Sequence, residues 1–123
     1  MEKLLIEGGV PLSGTIVPAG NKNAALPLLA CSLLTDEEVV LHNVPRIRDV
    51  DAMCALLADL GVKVDWRAEN TVSLQADAVS TTSVDAALAE RIRASFLAAG
   101  PLLGRFGSAL MPPPGGEDRK SVV

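Results

Sequence analysis

Val50, Met53, Cys54, Leu57 and Leu60 recur at i, i+3, i+4, i+7 and i+10 and stop against Gly61. An α-helix gathers that spacing onto one face, and glycine is a common residue to end one. The spacing predicts a helix opening at Asp49, whose carboxylate suits an N-cap. Before it stands a β-branched run, residues 38–44 (EVVLHNV), closed by Pro45. After it, residues 62–66 and 71–75 alternate apolar and polar positions around Arg67-Ala68-Glu69-Asn70, which predicts a hairpin. A strand, a one-sided helix and a hairpin hide their apolar faces by packing together, so this stretch implies a helix-on-sheet layer.

The flanks extend the pattern. Residues 3–7 (KLLIE) and 14–18 (GTIVP) read as short strands around a glycine-rich turn. Pro27 lacks an N–H and is best placed in a first turn, which predicts a helix from near Asn23 or Ala24 to about Leu34, with Asn21 or Asn23 as cap. The order over 14–75 is then β-α-β-α-β-β. Downstream, residues 76–83 read as loop or weak strand and 85–103 as helix broken at Gly100-Pro101. Residues 108–111 read as a strand ending in prolines. Aligning Lys22 with Arg93 exposes an echo: each cation opens a helical segment that leads to a strand ending at proline, Pro45 or Pro112. Such repetition marks a supersecondary unit that needs a neighbour to cover its apolar face.

Trp66, Phe96 and Phe106 are the only aromatic residues, so the core of this 123-residue chain is aliphatic. A formal net charge of −4 and the lack of aromatic stacking platforms argue against nucleic acid as a partner. No stretch approaches the roughly 20 apolar residues of a membrane span. The acidic N-terminus does not suit a secretory signal, and the cytoplasm is the expected location. Cys31 and Cys54 fall in helical runs without CxxC spacing and read as buried small apolar side chains, not as metal ligands or a disulfide.

Lys22 at a helix N-terminus adds a point charge to unpaired backbone N–H groups and the positive end of the helix dipole, a combination that attracts phosphate or carboxylate. A solvated loop lysine is the plainer reading. If Lys22 and Arg93 hold equivalent places in two packed units, two cations face one locus and an anion relieves their repulsion. Asn23 offers a donor and an acceptor for a ligand or serves as a cap. Arg46 and Arg48 read as a solvated pair after a strand end, and Arg91 as a partner for Asp85 or Glu90.

The segments GNKNAALPLLACSLL, NVPRIRDVDAM, LGVKV, RIRASFLAAGPLLGRFG and PPPGG resemble, in order and spacing, the UDP-N-acetylglucosamine enolpyruvyl transferase (1-carboxyvinyltransferase) family. Lys22-Asn23 favours that family over its shikimate-pathway sibling, which usually carries Lys-Ser there. The resemblance implies an α/β fold of repeated βαβαββ units, an inside-out α/β barrel. In it residues 1–20 are strands of the other globe, 21–77 a first unit, and 78–123 an incomplete second unit with an altered tail. It implies transfer of enolpyruvyl from phosphoenolpyruvate to the 3-hydroxyl of UDP-N-acetylglucosamine, releasing phosphate, in peptidoglycan synthesis. No metal or organic cofactor is implied, and the full-length protein is expected to be monomeric.

By the same resemblance Lys22 matches the lysine that holds phosphoenolpyruvate, Asn23 the adjacent substrate-contacting asparagine and Arg93 an arginine of the substrate site. The family's loop acid follows Gly116. Glu117 takes its place by register, Asp118 if one residue is inserted, and Val122 stands where an arginine is expected. A carboxylic acid donates a proton near neutrality only where burial raises its pKa. The 123 residues alone are expected to be inactive. The competing reading is a non-catalytic α/β module that binds anions or a partner protein, or self-associates through uncovered apolar surface.

Overall fold

A computed structural model describes residues 2–112. In chain order its elements are α1 (Lys22–Cys31), β1 (Glu38–Leu41), α2 (Arg48–Leu60), β2 (Lys63–Ala68), β3 (Thr71–Gln75), α3 (Ala86–Ala89) and α4 (Ala99–Phe106), with 3₁₀ turns at Ser32–Leu34 and Arg93–Ala98. The amphipathic spacing is realised in α2, which buries Val50, Met53, Cys54, Leu57 and Leu60. Gly61 ends it at φ 110°, in the left-handed region, with its N–H on the Ala58 carbonyl at 3.0 Å. The helix opens earlier than Asp49. Ile47 is the N-cap and makes no side-chain cap bond, so Asp49 stands in the first turn, where its charge still complements the dipole.

The hairpin forms, but β2 runs on through Arg67 and Ala68, which were expected in its turn, with a register shift between Trp66 and Ala68; β3 becomes the centre of a sheet ordered β1-β3-β2 with both pairings antiparallel. β1 and β2 therefore run parallel, joined by α2, with β3 inserted between them. The register sets Val39 and Val64 beside Leu74, and Leu41 and Trp66 beside Val72. Val72 and Leu74 are fully buried, and the helices close over that face with Leu29, Leu33, Met53, Leu57 and Leu102 in one continuous core. Each such leucine contributes about 1.5–3 kcal/mol by leaving water.

Several expectations are corrected. Residues 3–7 and 14–18 form no strand, and Leu4, Leu5, Ile16 and Val17 are exposed. A strand persists only as a member of a ladder, and the three-stranded sheet does not supply these segments with a partner. α1 begins at Lys22, so Pro27 lies past the first turn. The N–H it withholds would have served the carbonyl of Asn23, an exposed residue. The break expected at Gly100-Pro101 falls instead at 90–92. Pro101 is the third residue of α4, where its missing N–H is no defect. The strand expected at 108–111 is a single parallel bridge, Ser83 to Leu110.

Candidate functional site

The mouth of α1 is built on a close backbone approach. A Cβ on Gly20 would overlap the Asn43 carbonyl oxygen and lie 2.8 Å from Pro45 Cδ, so only glycine lets the chain pass there. Asn43 is itself left-handed at φ 57°. The turn of the hairpin holds this loop from the other side. Val44 N–H donates to the Asn70 carbonyl at 2.9 Å, and Asn70 Nδ2 returns a bond to the Val44 carbonyl at 2.8 Å. From that platform Asn21 caps α1, its side-chain oxygen accepting from Asn23 N–H at 2.7 Å. The same loop runs on into α2, so two helix N-termini open toward one place.

Lys22 from α1, Asp49 from α2, and Arg91 and Arg93 from the break after α3 line one open cleft of about 570 Å³. Asn23, Ile92, Ala94 and Phe96 complete much of the wall. Lys22 Nζ lies 3.1 Å from Asp49 Oδ2, with the two side chains 48% and 37% exposed. Among the described residues that line the cleft, three cations outnumber one carboxylate, in a chain whose net charge is −4. Helix N-termini reinforce it. Chemically, the cleft is suited to a phosphate or carboxylate carrying more than one negative charge.

Lys22, Asn23 and Arg93, singled out from the sequence, thus line the same cleft. Glu117 and Asp118 lie outside the described residues. Two cleft residues were given other roles. Asp49, read as a cap, is the counter-ion of Lys22 across 27 positions of chain, which no local pattern announces. Arg91, read as a partner of Asp85 or Glu90, lines the cleft, while Asp85 caps α3 by accepting from Leu88 N–H at 3.1 Å. Arg46 is exposed, as a solvated cation would be, and it also has partners. Its guanidinium stacks on Trp66 at 3.9 Å and its Nε reaches Asp51 at 3.2 Å, which fastens the loop before α2 to β2.

Both cysteines are free thiols. Burial, then the Asp51 carboxylate, push the Cys54 thiol up to about 11, with Arg46 opposing; Cys31, also expected to be buried, is exposed near the end of α1. A maleimide at pH 8 is therefore expected to label Cys31 and spare Cys54 until the chain is unfolded; rapid native labelling of Cys54 would show that α2 opens. Because the folded chain keeps this proton above the ordinary value of 9.0, the unfolded chain binds fewer protons between pH 9 and 11. Stability is lost as pH rises through that window.

The family model for EPSP synthase (3-phosphoshikimate 1-carboxyvinyltransferase) matches residues 6–118. Curated relatives include a UDP-N-acetylglucosamine 1-carboxyvinyltransferase of Bradyrhizobium diazoefficiens, 49% identical over 92% of this chain and 26% of the relative. Another, of Treponema denticola, is 45% identical over 95% of this chain and 28% of the relative. The chain spans about a quarter of the length of these relatives. Among solved structures, the enolpyruvyl transferase NikO from Streptomyces tendae superposes with a TM-score of 0.69 over 83% of this chain and 24% of that one; at 24% identity the likeness is one of fold.

Proposed function

Because this chain belongs to the EPSP synthase (3-phosphoshikimate 1-carboxyvinyltransferase) family, we propose that its cleft is the phosphoenolpyruvate subsite of a UDP-N-acetylglucosamine enolpyruvyl transferase. The observation that carries this reading is the convergence of Lys22, Asn23 and Arg93 on one electropositive cleft. The names of relatives at 42–49% identity favour the sugar nucleotide as acceptor over shikimate. In this reading the Lys22 ammonium and the Arg93 guanidinium bind the phosphate and carboxylate of phosphoenolpyruvate, and Asn23 orients the sugar nucleotide. A loop acid, Glu117 or Asp118, protonates the methylene carbon, and the 3-hydroxyl adds at C2. The hydroxyl proton is lost as the oxygen adds, and the tetrahedral adduct then gives up a methyl proton as it expels phosphate, which restores the carbon–carbon double bond. Cations already in place stabilise charge as it gathers on the departing group, where preorganisation is most effective.

The place of the reaction is peptidoglycan synthesis in the cytoplasm. Residues 1–20 pair with a second globe, a role supported by the exposure of Leu4, Leu5, Ile16 and Val17. Residues 21–77 are a first repeat unit and 78–123 part of a second. The described cleft is open, and no helix among the described residues is long and apolar enough to cross a membrane. Water is not excluded from such a cleft, so the 123 residues alone should release no phosphate from phosphoenolpyruvate plus UDP-N-acetylglucosamine above background. Binding is the sharper test. By titration calorimetry with phosphoenolpyruvate, Lys22→Met and Arg93→Met should each weaken affinity roughly 10- to 100-fold, the loss typical of a hydrogen bond to a charged group. Wild-type affinity in both variants would remove the cleft from the account.

A further inference from the structure

Asp49 is out of place in a cleft for anions. It lines the wall with Lys22, Arg91 and Arg93, and its carboxylate oxygen sits 3.1 Å from the Lys22 ammonium. A carboxylate there repels an incoming phosphate and occupies one donor of the lysine that would bind it. It is not spent as the cap of α2, since Ile47 holds that position. It is not deeply buried either, being about one-third exposed, so the pair can separate and rehydrate without a large desolvation barrier.

The geometry points to Asp49 as a resident counter-ion that trades places with the ligand's anion on Lys22. This rests on the anion-binding reading of the cleft. Without ligand, Asp49 keeps the flexible lysine folded over the mouth of α1 and lowers the repulsion among the cleft's cations. With ligand, the ammonium passes from the carboxylate to the phosphate, and each binding event breaks one ion pair. Asp49 therefore sets the affinity from inside the site, acting through Lys22 as a positioning residue. The exchange also favours release, because the carboxylate competes for the lysine as phosphate departs.

The test uses the 123-residue chain and inorganic phosphate, followed by calorimetry at low ionic strength. An exposed ion pair is weak, so Asp49→Asn should tighten phosphate binding by roughly two- to five-fold. Asp49→Glu, which keeps the charge, should behave as wild type. In a Lys22→Met background the Asn substitution should change nothing, because the pair it frees is already gone. Equal or weaker binding by Asp49→Asn, or a gain that persists without Lys22, would overturn the exchange while leaving the anion cleft intact. Phosphate binding by neither wild type nor Asp49→Asn would overturn both. A circular dichroism melt separates these outcomes from simple unfolding, since Asp49→Asn removes only a first-turn charge from α2.

Discussion

Replacing Arg105 by methionine is expected to destabilise the fold by about 1.5–3 kcal/mol, the range for losing hydrogen bonds from a charged donor. One guanidinium nitrogen of Arg105 donates to three backbone carbonyls, those of Leu33 at 3.1 Å, Thr35 at 3.1 Å and Ala76 at 2.7 Å. A nitrogen with two hydrogens serves three oxygens only by sharing one of them in a three-centre bond. Those carbonyls close the 3₁₀ turn after α1 and the end of β3, so α4 is bonded to both layers of the preceding fold through this side chain. Methionine keeps most of the apolar stem and removes the donors, together with the guanidinium's contact over the Phe106 ring at 4.8 Å. The urea midpoint should fall with an unchanged m-value. A loss below about 0.5 kcal/mol would mean that water reaches these carbonyls readily.

Gly20→Ala is expected to damage stability and anion binding together. The new methyl group would collide with the Asn43 carbonyl and crowd Pro45, both held by backbone, so the chain before α1 must move away. Overpacking of this kind costs about 1–3 kcal/mol. The shift would carry Asn21 from its capping position and Lys22 from the cleft, weakening phosphoenolpyruvate binding in the folded protein. Gly8→Ala is the matched control, because a Cβ there meets nothing within 4 Å, and its stability should stay within about 0.5 kcal/mol of wild type. Unchanged affinity in folded Gly20→Ala would detach the loop platform from the placement of Lys22.

What was legible in the sequence follows the reach of the interactions involved. α2, Gly61 and the hairpin are local structures, encoded by side-chain periodicity and by one residue's tolerance for positive φ; all three are present, with the start of α2 and the end of β2 displaced by one or two residues. Lys22, Asn23 and Arg93 reach one cleft, as the alignment of two similar helical openings implied. Long-range pairings were not legible. Asp49 could be read only against its own helix, where it resembles a cap, although its partner is Lys22 in another helix. Arg105 closes contacts 29 to 72 positions away, and nothing beside it in sequence marks it. Residues 3–7 and 14–18 carry strand propensity, but propensity does not supply the neighbouring strand that a ladder requires. Gly100-Pro101 reads as a break because proline is disfavoured in a helix interior, yet a 3₁₀ turn at Arg93–Ala98 leads into α4 at Ala99, which leaves Pro101 in a first turn, where proline is tolerated.

Amide chemical-shift mapping during a phosphoenolpyruvate titration decides whether Lys22, Asn23 and Arg93 form one anion site. The amides of Asn23 at the mouth of α1 and Ala94 beside Arg93 should shift together, saturate with a single dissociation constant, and stop responding in Lys22→Met. Shifts confined to one of the two segments, or centred on Arg46 and Arg48 at the other end of the loop, would contradict it.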